Sequence, residues 1–382
     1  MERDVRVLIA GGGTGGHLFP GIAIAEEVVS RPGGAVLFVG TARGLETKLV
    51  PAAGFPLELL DVSGLNRVGL GKMVKGLVRL PKAFFASRAI LRKFRPDLVI
   101  GVGGYASGPL VMAAALLGYP TAIQEQNSRP GFTNRVLGKV ARRVFVAFDD
   151  ARAFFGRGKT RLTGNPVRRK FVSAAAGQNP TAGGAGAGGL LVLGGSQGAR
   201  AVNDLVIGAA QVLASAGRLP RNVHQAGAAD EARVRVRYQE LGLLEGAHAG
   251  RIEVRAFIDD MPAALASAEL VVGRAGALTL AELAMTGRPA ILIPLPTAAA
   301  DHQTANAAEM ARAGAAVVVP QAGATGETLA RAIEDLFGDP ARLSSMSKAM
   351  AALGRPNATR EIVDELQTLP RRATKAKEEA VH

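Results

Sequence analysis

The chain has no cysteine and no tryptophan, and only three of its 382 residues are tyrosine. The lack of cysteine excludes disulfides, thiolate metal sites and cysteine nucleophiles, and it fits a reducing compartment. The shortage of large aromatic side chains leaves few platforms on which bases stack, so no nucleic-acid partner is expected, although the formal charge is +14. No run reaches the ~18 consecutive apolar residues of a membrane-spanning helix. The start, MERDVRVLIAGGG, has too short an apolar core for a signal peptide and reads as a first strand entering a turn. Acidic residues are missing altogether between Asp61 and Asp97. What is present, 48% hydrophobic and 20% charged residues, is a soluble globular composition on a chain long enough for two domains. The excess positive charge favours an anionic partner, either a phosphorylated substrate or a lipid surface.

Strand-like apolar runs at Val5–Ala10, Ala35–Val39, Leu98–Gly101, Thr121–Gln124 and Val144–Ala147 alternate with longer helical segments. That rhythm predicts parallel strands joined by helical crossovers. It stops at 174–189, a Gly/Ala-rich stretch with nothing to bury, and restarts at Leu190–Leu193. Further runs follow at Asn222–Gln225, Ile252–Arg255, Glu269–Val272, Ala290–Ile293 and Ala315–Val319. The expected organisation is α/β, with two doubly wound parallel-sheet domains at 1–173 and 190–355 and a flexible linker at 174–189. A C-terminal helix over 356–369 is expected to pack back on the N-terminal domain, ahead of a basic, disordered tail at 370–382.

The stretch Val271–Glu282, VVGRAGALTLAE, is where the chemistry is expected. A strand runs through a glycine turn into a helix whose first turn holds Ala277, Leu278 and Thr279. The start of a helix attracts phosphate because its aligned peptide dipoles place about half a positive charge there. Glu282, one turn further on, suits the paired hydroxyls of a sugar. Together they suggest a nucleoside diphosphate held at its phosphates and its ribose.

Other turns compete with plainer explanations. Gly11–Gly16 satisfies G-x-G-x-x-G, but the second strand ends Phe38-Val-Gly-Thr41 without the ribose-binding carboxylate that a dinucleotide site needs. His17-Leu18 replaces the Lys-Ser/Thr of a P-loop, which leaves a turn of close ligand approach or a tight turn capped by a histidine. Gly194–Gly198, with Ser196, is a similar turn opening the second domain. Gln124-Glu-Gln-Asn127 puts four polar residues at a strand end, where no packing purpose is expected for them. Asp301 reads first as a helix N-cap, and Gln303 as a sugar contact or an exposed first-turn residue. Arg168 reads as a phosphate partner or a surface contact.

Between Arg67 and Arg95 nine cations, Lys72, Lys75, Arg79 and Lys82 among them, interleave with Leu70, Met73, Val74, Leu77, Leu80, Phe84 and Phe85. Such a helix lies in the interface of an anionic bilayer or packs its apolar stripe on the sheet, and both can hold at once.

GGGTGGH, GGYASGP, EQN, TGNPVR, GGSQGA, FIDDM, RAGALTLAE and DHQTANA occur in this order over some 300 residues. The set resembles the MurG family of bacterial peptidoglycan glycosyltransferases. The resemblance implies the GT-B fold of two Rossmann-like domains facing across a cleft. It implies transfer of N-acetylglucosamine from UDP-GlcNAc to the 4-hydroxyl of MurNAc in lipid I, giving lipid II. The transfer is inverting and metal-independent, with no cofactor, on a protein attached peripherally to the cytoplasmic face of the cell membrane. Proteins of cell-wall synthesis are further candidate partners. By the same resemblance, Thr14, Gly15 and Gly16 lie near the donor sugar and diphosphate, Asn127 contacts the GlcNAc, and Arg168 and Ser196 belong to the nucleotide-sugar site. Ile258 holds uracil through its backbone, Ala277, Leu278, Thr279, Leu280, Ala281 and Glu282 form the phosphate and ribose grip, and Gln303 reaches the donor sugar. Tyr105 is an acceptor-side candidate. His17 is the first candidate for general base and Glu125 the second. The alternatives are a UDP-sugar transferase acting on another lipid, a UDP-sugar epimerase, and a non-catalytic binding module.

Overall fold

The structure is a computed structural model that describes residues 5–42, 44–61, 70–176, 189–194 and 198–369. Arg67, Ser196, linker residues 177–188 and the tail from 370 lie outside the described residues, as do the side chains of Lys72, Lys75 and Arg79. The chain divides into two compact units. Unit 1 comprises residues up to Gln126, Pro130–Arg168 and those from Asn357 onward, and unit 2 comprises Asn127–Arg129 and Arg169–Pro356.

Unit 1 is a seven-stranded sheet of β1 (Val5–Gly11), β2 (Gly34–Gly40), β3 (Leu57–Leu59), β4 (Leu98–Gly103), β5 (Thr121–Glu125), β6 (Arg143–Val146) and β7 (Thr160–Leu162). The strand order is β3-β2-β1-β4-β5-β6-β7, and every pairing is parallel. Alternation along β1 sends Val7 and Ile9 to one face and Leu8 and Ala10 to the other, and all four are buried. Helices therefore cover both faces, as a buried parallel sheet requires. They are α1 (Gly15–Val29), α2 (Glu46–Ala52), α3 (Leu70–Phe94), α4 (Ser107–Leu116) and α5 (Phe132–Val140). The final helix, α14 (Ala358–Thr368), returns to this unit and sinks Ile362, Val363 and Leu366 into the core on the α1 side. Arg31 ties it down through Asp364, and Arg143 through Glu365.

Unit 2 is a six-stranded parallel sheet of β8 (Gly189–Leu193), β9 (Asn222–Gln225), β10 (Ile252–Arg255), β11 (Ala268–Gly273), β12 (Ala290–Leu292) and β13 (Ala316–Val318). Its order is β10-β9-β8-β11-β12-β13. Its helices are α6 (Arg169–Ala176), α7 (Arg200–Ser215), α8 (Glu231–Glu240), α9 (Met261–Ser267), α10 (Ala277–Thr286), α11 (His302–Arg312), α12 (Gly326–Phe337) and α13 (Pro340–Ala352). Helix α6 packs on α9 and α10, so the division between units falls at Arg168/Arg169, and Ala174–Ala176 are helical, where linker was expected.

In both sheets the strand order reverses beside the first strand of the unit, between β1 and β4 and between β8 and β11. Loops leaving neighbouring strands diverge at such a switch point and open a crevice at the carboxyl ends of the strands, where α/β sheets bind ligands. The flanking turns are Gly11–Thr14 and Gly103–Ala106 in unit 1 and Arg274–Gly276 in unit 2, where β8 also ends at this point. The two strands that the sequence did not reveal, β3 and β7, are three-residue edge strands with partly exposed side chains.

Candidate functional site

In unit 2, β11 delivers the chain through Arg274-Ala-Gly276 into α10, at the switch point of the sheet. Gly276 holds the N-cap position in an extended conformation and supplies no side-chain acceptor to the first turn. Leu280 N–H donates to the Gly276 carbonyl at 3.0 Å, so the positive end of the helix dipole lies at Ala277, Leu278 and Thr279. Leu278, Thr279 and Ala281 are half-exposed, whereas Ala277, Leu280 and Glu282 are buried. Arg274, half-buried ahead of the helix, donates from Nη1 to the carbonyls of Ile293 at 3.0 Å and Pro294 at 3.2 Å. Burial lowers its pKa without approaching neutrality, so a fixed cation adds to the dipole at this helix start.

Helix α11 braces the same turn. Asn306, fully buried, donates to the Ala275 carbonyl at 3.2 Å and to Asn127 Oδ1 at 3.1 Å, and accepts from Ser128 N–H at 2.9 Å. Asn127 is thereby placed beside the α10 turn. Gln303 Oε1 accepts from Leu295 N–H at 3.0 Å and fixes the loop after β12. Asp301 occupies the N-cap position of α11 in a left-handed conformation, φ 54°, with no side-chain cap bond; its carboxylate lies 3.8 Å from Arg129, so the expected capping role is replaced by a loose, exposed ion pair. Ile258 is 3% exposed, and Asp260 two residues on caps α9 through Ala263 N–H.

A buried polar chain links α7, β9 and α8 in unit 2. His224, fully buried, bonds Asn203 Oδ1 through Nε2 at 3.0 Å and the Tyr238 hydroxyl through Nδ1 at 2.9 Å. Asn203 in turn donates to the Ala226 carbonyl and to Asp230, which Arg233 grips through two nitrogens. Burial pushes the imidazole pKa down to about 3, so His224 is neutral; with Asn203 as acceptor the proton sits on Nε2 and Tyr238 donates to Nδ1. Arg233 holds the Asp230 carboxyl down to about 2.

In unit 1, Thr14 is the extended N-cap of α1 and His17 lies in the first turn, half-buried, between exposed Thr14 and Gly16 and buried Leu18. Thr14 Oγ1 stands 3.4 Å from His17 Nδ1, and the imidazole packs against Gly103, where a Cβ would overlap it. Arg168 stacks its guanidinium on Phe19 at 4.9 Å. Tyr105 is 48% exposed in the turn after β4.

The polar run after β5 does have a packing purpose, contrary to expectation. Gln124, Glu125 and Gln126 are at most 3% exposed. Gln124 accepts from Gln126 and donates to Asn165, Gln126 donates to the Val102 carbonyl, and Glu125 accepts from Asn134 Nδ2 at 2.8 Å. Only Asn127 of the four leaves this network, to meet Asn306.

The N-terminal domain model of glycosyltransferase family 28 matches residues 7–146 and its C-terminal domain model matches 189–362. A Myxococcus xanthus protein named UDP-N-acetylglucosamine–N-acetylmuramyl-(pentapeptide) pyrophosphoryl-undecaprenol N-acetylglucosamine transferase is 50% identical, over 94% of this chain and 92% of its own. The chain belongs to the MurG family, within glycosyltransferase family 28. Another such transferase, from Anaeromyxobacter dehalogenans, is 49% identical over 96% of this chain and 94% of its own. The crystal structure of Acinetobacter baumannii MurG superposes with a TM-score of 0.77 at 32% identity, covering 96% of this chain and all of that one. The expected family and the two-domain parallel-sheet architecture are thus borne out, and an unrelated binding module is set aside.

For a MurG-family chain, four groups escaped the sequence reading: Glu46, Asn306, Arg274 and the Asn203–His224–Tyr238 chain. Glu46 supplies the carboxylate missing from the end of β2, but turned inward, with Gly13 N–H and Thr41 N–H each 2.8 Å from it. The polar residues of β9, Asn222, His224 and Gln225, were the available signal for the fourth.

Proposed function

We propose that this chain transfers N-acetylglucosamine from UDP-GlcNAc to the 4-hydroxyl of MurNAc in lipid I, forming lipid II, by an inverting displacement that needs no metal. The observation that carries the reading is half-identity along 94% of the chain with a transferase named for this donor and acceptor. The acceptor oxygen attacks C1 of GlcNAc, the C1–O bond to the diphosphate breaks, and UDP departs with the bonding pair. Its growing charge meets the start of α10 and the fixed Arg274 cation, preorganised positive potential being the usual device for such a leaving group. Glu282 takes the ribose hydroxyls, Ala277–Ala281 the diphosphate, Ile258 the uracil, and Ser196, Asn127 and Gln303 complete the donor contacts.

The hydroxyl proton goes to His17. In the tautomer whose Nδ1–H donates to Thr14 Oγ1, Nε2 is the basic atom, and imidazole as a class has the pKa range for the task. Glu125 is 1% exposed and committed to Asn134, which favours His17 over it. Arg168, stacked on Phe19, belongs to the nucleotide-sugar site, and Tyr105 to the acceptor side.

The membrane reading concerns α3. Its described part buries Ala83, Ser87 and Leu91 at helical spacing, while Phe85 is 62% exposed and Arg92, Lys93 and Arg95 are exposed. Carboxylates from outside the basic run answer two of its cations, Asp61 at Lys82 and Glu58 at Lys93, through exposed pairs that contribute little. The helix thus packs its stripe on the sheet and offers a basic face with an apolar tip to an anionic bilayer. Among the described residues no helix is long and apolar enough to cross a membrane. UDP release from UDP-GlcNAc in the presence of a lipid I analogue tests the reading. Release that needs the analogue and persists in EDTA is expected, and release independent of the analogue would contradict it.

A further inference from the structure

Glu46 is a buried acid, 1% exposed, for which the transfer reaction has no direct use. It opens α2, and its carboxylate faces the turn between β1 and α1. Oε2 accepts from Gly13 N–H at 2.8 Å, and Oε1 accepts from Thr41 N–H and Thr41 Oγ1, both at 2.8 Å. Burial alone would raise its pKa, but the donations from Gly13 and Thr41 outweigh burial and hold the carboxyl below its usual range. It is an anion at neutral pH.

The turn around it, Gly11–Gly16, has the sequence of a phosphate cradle, in which successive N–H groups converge on an anion. Here Gly13 N–H donates to a carboxylate of the chain itself, and Thr41, outside the turn, supplies the N–H and hydroxyl that complete its partners. A Cβ at Gly12 would overlap the Glu46 carboxylate, and one at Gly104, φ 84°, would overlap the Gly12 backbone. Gly12 is therefore held between Glu46 on one side and the turn after β4 on the other, and Gly13 is tied to Glu46 through its N–H. The next residue is Thr14, which caps α1 and stands against His17 Nδ1.

We propose that Glu46 is a positioning residue for His17: its carboxylate fills the anion site of the first glycine-rich turn from within and fixes Gly12–Thr14 in the conformation that presents the imidazole. The proposal rests on the reading of His17 as the base. It carries a second consequence: Gly13 N–H serves the fold and not a donor phosphate, so loss of Glu46 acts on turnover and spares donor affinity.

The test compares full-length wild type, Glu46→Gln and Glu46→Ala. Turnover is measured with UDP-GlcNAc and a lipid I analogue, UDP-GlcNAc affinity by calorimetry, and the His17 ring by NMR, its resonance assigned with His17→Ala. Glu46→Ala should lose about 10- to 100-fold in kcat, the effect of a misplaced catalytic group, with donor affinity within about twofold of wild type. Glu46→Gln, which keeps one acceptor oxygen, should lose less. Formate at millimolar concentration should restore part of the kcat of Glu46→Ala and leave wild type unchanged, because the vacated site keeps its three donors. The His17 resonance and its titration midpoint should move in both variants. Unchanged kcat, or weakened donor binding with kcat intact, would overturn the proposal. If Glu46→Ala does not fold, Glu46→Gln decides by the same two criteria. An unmoved His17 resonance overturns the link whatever the activity, whereas wild type without transfer activity removes the His17 reading and leaves the NMR result to judge the link.

Discussion

At the scale of single residues, His17 and His224 show how environment assigns one side chain two different tasks. His17 is half-exposed at the head of α1, with a hydroxyl on one nitrogen. Replacing it with Ala should lower kcat by about 10²- to 10⁴-fold, the usual contribution of a positioned base, with donor KM nearly unchanged; steady-state kinetics in both substrates check this. His224 is closed in by Asn203 and Tyr238 and works neutral. Its folded pKa, about 3, lies below the ordinary histidine value of 6.5. In that window the unfolded chain binds more protons than the folded one, so stability contributed by neutral His224 is present above the unfolded pKa and is lost as pH falls. The loss grows by about 1.4 kcal/mol per pH unit. Denaturation followed between pH 7 and 4 should show wild type losing more stability than His224→Gln, and parallel losses would contradict the assignment.

At the scale of elements, α10 is the feature on which the proposed donor binding rests. Its start has a glycine cap, a fixed arginine behind it and Asn306 beneath its turn, and Glu282 lies one and a half turns in. Glu282→Ala should lower kcat/KM for UDP-GlcNAc by an amount matching a charge-assisted hydrogen bond, roughly 1.5–3 kcal/mol. The same change should cost much less with a 2′,3′-dideoxyribose donor, and an equal cost would remove Glu282 from the ribose. This element was legible in the sequence because everything that defines it, strand, glycine turn and helix, is contiguous from Val271 to Glu282. Glu46 and Asn306 were not legible for the opposite reason. Glu46 reaches Gly13 across 33 positions and Asn306 reaches Asn127 across 179, so no local pattern announces either. The Gln124–Gln126 cluster misled because its partners Asn134 and Asn165 come from later segments, and a buried hydrogen-bonded network looks in sequence like a binding site. Strands β3 and β7 were too short and too exposed at the sheet edges to show a period.

At the scale of the whole molecule, the chain uses the same architecture twice. Each unit puts a glycine-rich turn beside the reversal of its strand order, and what differs is the side chain placed there. Unit 2 presents a helix dipole, a cation and a carboxylate suited to a nucleotide, while unit 1 presents an imidazole and a self-satisfied turn. The repetition was legible in Val5–Gly21 and Leu190–Asn203; the apolar spacing at Ile362, Val363 and Leu366 marked α14 as a helix with a face to bury, and its place in the unit 1 core is seen only in three dimensions. The formal charge of +14 belongs to this scale too. Neutralising Lys72, Lys75, Arg79 and Lys82 should weaken binding to anionic vesicles, by about 1 kcal/mol for each charge near the surface, and reduce its salt dependence. Equal binding of wild type to neutral and anionic vesicles in a sedimentation assay would count against membrane contact through α3.

The central claim is transfer of N-acetylglucosamine with inversion, and NMR of the product made from UDP-GlcNAc and a lipid I analogue tests it most directly. A single new β linkage from GlcNAc C1 to the MurNAc 4-oxygen, with UDP released in equal amount and no product from UDP-glucose, is the result the proposed function predicts. An α linkage, an epimerised UDP-sugar, or UDP released without a glycosylated acceptor would contradict it.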